Sequence, residues 1–463
     1  MKIEQIYTNC LSQGAYYIES NGEVAIIDPL REVQPYIDIA EKDKATIKYI
    51  FETHFHADFV SGHITLAEKT GAKIIYGPTA ETNFESYIAK DNESFKLGNI
   101  EIIALHTPGH TLESTTYLLK NEEGKDYAIF SGDTLFIGDV GRPDLAQKGN
   151  ITQEDLAGKL YDSLRTKIMV LNDDVIVYPA HGAGSACGKH MSKETVSTLG
   201  AQKESNYALR ESLTKEQFIK EVTDGLLPPP DYFPLNVKLN KEGYDSIDAI
   251  LEKGTKALSV QEFEEKANAS GALILDVRHQ FDFVKGFIPQ SIFIGLNGTF
   301  APWVGALIKD TEQPILLVTP VGKEEETITR LARVGFDNVL GYLKGGFESW
   351  LETKKEIDTL LSVEATVLET AILNEATVFD VRKPTEYDAE HIKDVKNVPL
   401  DYLNDYISVF PKNTDFYIHC AGGYRSVIAA SILKSRGYHN VIDVAGGYKA
   451  IKQTGIKRVQ LVV

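Results

Sequence analysis

Short apolar runs, rather than long helical stripes, set the rhythm of the first 230 or so residues. Tyr49-Ile50-Phe51, Glu101-Ile102-Ile103-Ala104-Leu105, Tyr127-Ala128-Ile129-Phe130 and Asp174-Val175-Ile176-Val177-Tyr178 are each short and rich in β-branched or aromatic side chains. Each is closed by Gly, Pro, Thr or Asp, which predicts buried strands alternating with loops and helical stretches. The run Pro228-Pro229-Pro230 then removes backbone donors and fixes φ, so neither helix nor central strand passes through it. Downstream the pattern repeats. Leu273-Ile274-Leu275-Asp276-Val277-Arg278 returns 104 positions later as Thr377-Val378-Phe379-Asp380-Val381-Arg382, and Lys344-Gly345-Gly346-Phe347 returns 101 positions later as Ala445-Gly446-Gly447-Tyr448. Between these landmarks each copy carries an apolar strand, a loop and a helical segment. Two matched landmarks at nearly constant offset predict a duplicated α/β module of about 100 residues. The expected organisation is one domain over 1–235 and two modules over 236–356 and 357–463.

Composition changes this picture little. The chain has 463 residues with 48 Lys+Arg and 66 Asp+Glu, a formal charge of −18. That acidic balance argues against a nucleic-acid binder, which needs clustered cations. No apolar run approaches the roughly 18 residues of a membrane span, and the N-terminal stretch shows no signal-peptide h-region. Three cysteines, Cys10, Cys187 and Cys420, cannot build a disulfide scaffold, so a reducing, cytoplasmic setting is expected.

The chemistry sits at strand exits. After the run at Tyr49 comes Thr53-His54-Phe55-His56-Ala57-Asp58-Phe59; later exits carry Pro108-Gly109-His110, Gly132-Asp133-Thr134 and Ala180-His181-Gly182. Imidazoles and carboxylates placed four times at strand ends predict one shared metal site, since ligands must converge within about 2.0–2.2 Å of one ion. In this order the set resembles the metallo-β-lactamase superfamily. The resemblance implies an αβ/βα sandwich over roughly residues 1–230, with the metal at one edge. Binuclear hydrolases of that superfamily, glyoxalase II among them, place a second-metal histidine where this chain has Phe59. Phenylalanine cannot coordinate, which disfavours a second metal. What remains is His54, His110 and Asp133, a two-histidine, one-carboxylate set typical of non-haem Fe(II). The run Gly132-Asp133-Thr134-Leu135-Phe136 through Gly141-Arg142-Pro143-Asp144-Leu145 is similar to that of persulfide dioxygenases. By that resemblance His54, His110 and Asp133 hold one Fe(II) per chain, and His56, Asp58 and His181 stand behind the ligands. Arg142 is expected to pair with Asp144, with contact to substrate as the alternative. Cys187 lies six residues beyond His181 and is either a packed small side chain or a thiol relay, with Lys189 as a neighbour able to favour thiolate. Cys10 carries no argument for chemistry.

The last module ends a strand in His419-Cys420-Ala421-Gly422-Gly423-Tyr424-Arg425 and opens a helix. Free backbone N–H groups, the helix dipole and Arg425 all favour a thiolate at Cys420. The Cys-x₄-Arg loop resembles rhodanese, and that resemblance implies a sulfurtransferase in which Cys420 and Arg425 are catalytic. The matching loop of the first module, Thr319-Pro320-Val321-Gly322-Lys323-Glu324, has no Cys and an acidic stretch where Arg would fall, so it is expected to be inactive. Together the resemblances imply an α/β multidomain fusion acting on sulfane sulfur. The expected reaction is O₂-dependent oxidation of a low-molecular-weight persulfide (of glutathione, coenzyme A, cysteine or bacillithiol type) to sulfite and thiol, coupled to transfer between persulfide and sulfite or thiosulfate. A homo-oligomer with no nucleic-acid or membrane partner is the accompanying expectation. A mononuclear zinc glyoxalase II-like thioester hydrolase and a non-catalytic sulfur carrier are the alternatives.

Overall fold

The computed structural model describes residues 1–146 and 150–460. All four apolar runs of the first domain are strands: Thr46–Phe51, Ile100–His106, Asp126–Gly132 and Ile176–Pro179. They divide between two six-stranded sheets. One runs in the order Lys2–Thr8, Gln13–Ser20, Glu23–Ile27, Thr46–Phe51, Lys73–Tyr76, Tyr87–Ile88. The other runs Ser197–Thr198, Ile176–Pro179, Asp126–Gly132, Thr115–Lys120, Ile100–His106, Glu93–Leu97.

Strand periodicity explains the layering. Tyr16, Ile18, Ala25 and Ile27 face Ile102, Ala104, Tyr117 and Phe130 in one core between the sheets. Their alternate neighbours Ala15, Tyr17, Val24 and Ile26 pack outward with Tyr36, Ala40 and Leu66 of the helices Gln34–Asp43 and His63–Thr70. Leu105, Leu118, Ile129 and Val177 cover the other outer face with Leu160, Leu164 and Phe218. Side chains that alternate in direction along each strand therefore build the expected αβ/βα sandwich.

The compact unit containing this sandwich comprises Met1–Ile247 and Ala332–Gly335, and a second unit comprises Asp248–Leu331 and Phe336–Val463. The proline run, read in sequence as the boundary at residue 235, thus lies inside the first unit. Prolines stop hydrogen-bonded structure locally, but the helix that follows, Phe233–Glu242, turns back into the fold. Its fully buried Asn240 donates to the carbonyls of His56 and Phe59, both at 2.8 Å, and accepts from the Ser61 N–H at 2.8 Å.

The second unit contains two five-stranded parallel sheets of identical strand order. The first is Ala257–Leu258, Val339–Leu343, Ile315–Val318, Leu273–Asp276, Ile292–Phe293; the second is Ser362–Val363, Val441–Val444, Phe416–His419, Thr377–Asp380, Lys396–Asn397. The duplication extends to side chains. Arg278 forks onto Asp276 and lies 4.0 Å from the Phe347 ring centroid; Arg382 forks onto Asp380 and lies 3.8 Å from that of Tyr448. The two modules touch within this unit. The Tyr424 hydroxyl donates to the Gly295 carbonyl at 2.6 Å, and the Phe293 N–H donates to Ser431 Oγ at 2.9 Å. The helix Tyr424–Ser435 is consequently buried all round, every residue from Ser426 to Leu433 included.

Candidate metal centre and cysteine site

The ligand atoms of His54, His110 and Asp133 lie within 4.8 Å of one another, and all three residues are buried. Asp133 Oδ2 is 3.3 Å from His110 Nε2 and 3.9 Å from His54 Nε2, while its Oδ1 is 3.6 Å from His181 Nε2. Neither Asp133 oxygen has a hydrogen-bond partner. The far nitrogens of the imidazoles are held. His110 Nδ1 is 2.8 Å from the Arg142 carbonyl oxygen, so it carries the proton and donates. Thr53 Oγ1 gives its own proton to Asp28 Oδ2 at 2.8 Å and therefore accepts from His54 Nδ1 at 3.0 Å. Both rings are left with a bare Nε2 lone pair directed at a bare carboxylate. Burial, with the neighbouring imidazoles His56, His110 and His181, pushes the pKa of His54 well below its usual value, which keeps it neutral. Orphaned carboxylate oxygens facing three imidazoles fit a divalent cation.

His56 lies beside the site, its ring centroid 4.2 Å from that of His54, and it offers a ligand atom within 4.8 Å of those of Asp58 and His181. Its Nε2 lies 3.1 Å from Asp28 Oδ1 and 3.5 Å from Glu52 Oε2, and its ring stacks on Phe59 at 4.3 Å. Burial opposes a charge on His56, but Asp28 and Glu52 outweigh it and raise its pKa well above the ordinary imidazole value. Asp58 and His181 do stand beside the ligands, with His181 Nε2 3.4 Å from Asp58 Oδ2. The strand-end rule that singled out His54 and Asp133 applied equally to Asp28, after Glu23–Ile27, and Glu52, after Thr46–Phe51, and neither was singled out. Asn240, beyond the proline run, left no sequence signal.

Arg142 makes a two-pronged pair with Asp144, at 2.6 and 2.7 Å, and also donates to the carbonyls of Ala186 and Leu227. Cys187 is buried beside the site, grouped with Asp133 and His181. The expected help from Lys189 is absent. Its ammonium donates to the carbonyls of Glu221 and Asp224, and burial, with Asp58 and Asp133, pushes the Cys187 thiol well above its ordinary pKa. The loop folds so that carboxylates, not the lysine, face the sulfur. A cavity of about 570 Å³ opens beside His110, lined among others by Phe55, Ala57, Leu112, Lys159 and Lys241.

In the last module Cys420 is buried at the mouth of the helix Tyr424–Ser435, and its Sγ accepts from the Gly423 N–H at 3.1 Å. Gly423 has φ +92°, a left-handed turn that aims this N–H back at the sulfur. Arg425 does not point its fork at the thiol; it is spent on Glu386, at 2.6 and 2.8 Å. In the first module Thr319 ends its strand where Cys420 ends its own. Gly322, at φ +83°, keeps the left-handed turn that Gly423 makes in the last module. Glu324 falls where Arg425 stands.

Known proteins match both regions. The metallo-beta-lactamase superfamily matches residues 9–181, and the rhodanese-like domain matches 259–353 and 364–454. The cytoplasmic hydroxyacylglutathione hydrolase of Arabidopsis thaliana is 32% identical over 186 residues, 39% of this chain and 67% of the relative. The chain belongs to the metallo-beta-lactamase superfamily. Among other superfamily members it resembles the mitochondrial persulfide dioxygenase ETHE1 of Homo sapiens, at 28% identity over 220 residues, 47% of this chain and 78% of that protein. A crystal structure of a metallo-beta-lactamase from Staphylococcus aureus subsp. aureus COL aligns over 74% of this chain and 98% of its own, with 30% identity and a TM-score of 0.65. This superfamily member thus carries a metallo-beta-lactamase fold followed by two rhodanese-like domains. No helix among the described residues is long and apolar enough to cross a membrane.

Proposed function

We propose that the metallo-beta-lactamase domain oxidises a low-molecular-weight thiol persulfide to sulfite and thiol with Fe(II) and O₂, and that Cys420 moves sulfane sulfur between persulfide and sulfite or thiosulfate. The observation that carries the reading is the buried cluster of His54, His110 and Asp133, whose ligand atoms lie within 4.8 Å of one another with both Asp133 oxygens unpartnered. His56 Nε2 lies against Asp28 and Glu52, and its ring stacks on Phe59, which offers no ligand to a second metal. Three ligands leave positions open for substrate sulfur and O₂. Iron, when bound, supplies the spin-allowed route by which triplet O₂ attacks a closed-shell persulfide. The chain's own residues do the rest: Arg142 and Thr53 fix the ligand rings, and the buried wall around the ligands keeps water from the reacting sulfur. The cavity beside His110 is the entry for the persulfide. In the last domain, the Gly423 N–H and the helix N-terminus stabilise the negative charge that develops on the Cys420 sulfur as it reacts and then hold its persulfide.

Metal analysis after anaerobic purification is expected to give about one iron per chain, with O₂ uptake on a low-molecular-weight persulfide; stoichiometric zinc and no uptake would overturn the dioxygenase reading. Cys420→Ser is expected to abolish thiosulfate formation and leave persulfide-dependent O₂ uptake intact. A second reading, thioester hydrolysis at zinc, is favoured by the hydroxyacylglutathione hydrolase relatives; it predicts turnover of a glutathione thioester at the same rate without O₂.

A further inference from the structure

Behind the Cys420 loop lies a pair of buried side chains that neither reading uses. Ser426, in the first turn of the helix Tyr424–Ser435, is fully buried and donates its hydroxyl to Cys420 Sγ at 3.6 Å. On the neighbouring strand Val441–Val444, Asp443 is 2% exposed and within hydrogen-bond reach of Ser426. Its Oδ2 accepts from Ser362 Oγ at 2.7 Å, and its Oδ1 has no partner. Among the described residues, what stabilises its charge is hydroxyls and a backbone N–H, not a cation. A buried carboxylate with an open lone pair therefore stands one hydroxyl away from the thiol. Burial raises its pKa to about 6, so both protonation states are accessible near neutrality.

We propose that Asp443, acting through Ser426, takes up the thiol proton when Cys420 becomes the nucleophile and returns it when the sulfur leaves. The proposal rests on Cys420 being the sulfur carrier. In the first step the Cys420 S–H proton moves to Ser426 Oγ as the Ser426 proton moves to Asp443, leaving a thiolate and a neutral carboxyl with no change in net charge. A hydroxyl that donates to sulfur, as Ser426 does, accepts from that carboxyl. The thiolate attacks the outer sulfur of R–S–SH; the new S–S bond forms as the S–S bond of the persulfide breaks, giving Cys420–S–SH and R–S⁻. Sulfite then attacks the outer sulfur of the ionised persulfide, releasing thiosulfate and Cys420 thiolate, which regains its proton by the reverse of the first step.

The other charged groups around the thiol are already committed. Arg425 is bound by Glu386, with Asp401 also facing it, and Arg382 is bound by Asp380. His419 is buried, and burial, with Asp380 opposing, keeps its pKa below the usual value. Tyr448 stacks on His419 and is pushed up to about 12, mainly by burial. Ser362 and Ser426, the side chains facing Asp443, do not titrate. Asp443 is thus a positioning residue whose proton is readable through the thiol.

The test is the pH profile of Cys420 alkylation in the full-length protein, followed by mass spectrometry of the Cys420 peptide. In the wild type the rate is expected to rise in two steps, the lower one near pH 6, because ionising Asp443 lets the pair hold its proton away from sulfur. In Asp443→Asn and Ser426→Ala the lower step is lost, with a rate about tenfold lower at neutral pH, equivalent to one pKa unit; Ser426→Thr, which keeps the hydroxyl, retains it. A single step in wild type and variants alike, or an Asp443→Asn variant that is faster at every pH, overturns the proposal, since a carboxylate that merely repels the thiolate gives that result. Failure of wild-type Cys420 to gain one sulfur atom from thiosulfate or persulfide overturns the carrier reading instead.

Discussion

Asp133 faces imidazoles with both of its oxygens, His54 and His110 on one side and His181 on the other. Its motif was legible because glycine, aspartate and threonine closing an apolar run mark a strand exit. The groups that orient the ligands were less legible, because Asp28 and the Arg142 carbonyl act through contacts distant in sequence, and Thr53, next to His54, takes its direction from Asp28. The Arg142–Asp144 pair was readable from a spacing of two; the partner of Lys189 was not, because only folding decides which way a long side chain turns. Asp443 makes a prediction at this same scale. Its pKa is raised above the usual carboxylate value, so the folded state binds the proton more tightly than the unfolded state between pH 4 and 6. Stability therefore falls as pH rises through about 6, and the full cost, at most about 3 kcal/mol, is present above it. Asp443→Asn is expected to raise the melting temperature at pH 7.5 and to have little effect at pH 4; equal melting curves at pH 7.5 would contradict the burial argument.

Among the elements, the helix Phe233–Glu242 decides more than its position suggested. Three consecutive prolines describe a local break, and a break is not a domain end when the next helix returns hydrogen bonds to the site. Asn240 satisfies three backbone groups of the loop carrying His56, Asp58 and Phe59. Asn240→Ala leaves those buried groups unpaired, at about 1–3 kcal/mol each before relaxation. The expected outcome is a total loss of about 2–4 kcal/mol in denaturant unfolding of this unit. Because His54 shares the loop, weaker metal retention on dialysis against chelator is expected as well. Wild-type retention with wild-type stability would show that the loop holds itself. The proximity of Gly447 to the Cys420 loop belongs to the same scale. A Cβ on Gly447 would meet the Cys420 carbonyl oxygen at 2.4 Å, at φ +54°, which is why the duplicated Gly-Gly landmark recurs opposite each loop.

Across the second unit, duplication has separated two properties. The first module keeps the strand order, the Asp–Arg fork and the left-handed glycine turn, yet carries Thr319 and Glu324 where the second has Cys420 and Arg425. What it keeps supports its partner: Gly295 and Phe293 bond to the helix behind the Cys420 loop, and the Tyr424 ring lies against Gly298, where a Cβ would fall 2.4 Å from Cζ. Gly298→Val is expected to displace Tyr424 and lower thiosulfate turnover at least tenfold, with persulfide-dependent O₂ uptake unchanged. Unaltered turnover would show that the helix does not depend on its neighbour. Thr319→Cys in a Cys420→Ser background is expected to restore no sulfur transfer, since Glu324 places a negative charge beside the new thiol where the second module has Arg425.

By itself, the sequence determined the αβ/βα sandwich and the duplicated modules, because strand alternation, turn residues and repeat spacing are local and periodic. It also placed the metal-binding candidates and Cys420, because such side chains sit at strand exits that punctuation makes visible. Only the tertiary structure decided that His56 faces Asp28 and Glu52, that Arg425 is taken by Glu386, that Asn240 closes the site loop and that Asp443 lies one hydroxyl from Cys420. These are pairings between side chains far apart in the chain. Direction and burial, which no one-dimensional spacing records, set the charge, tautomer and reach of each.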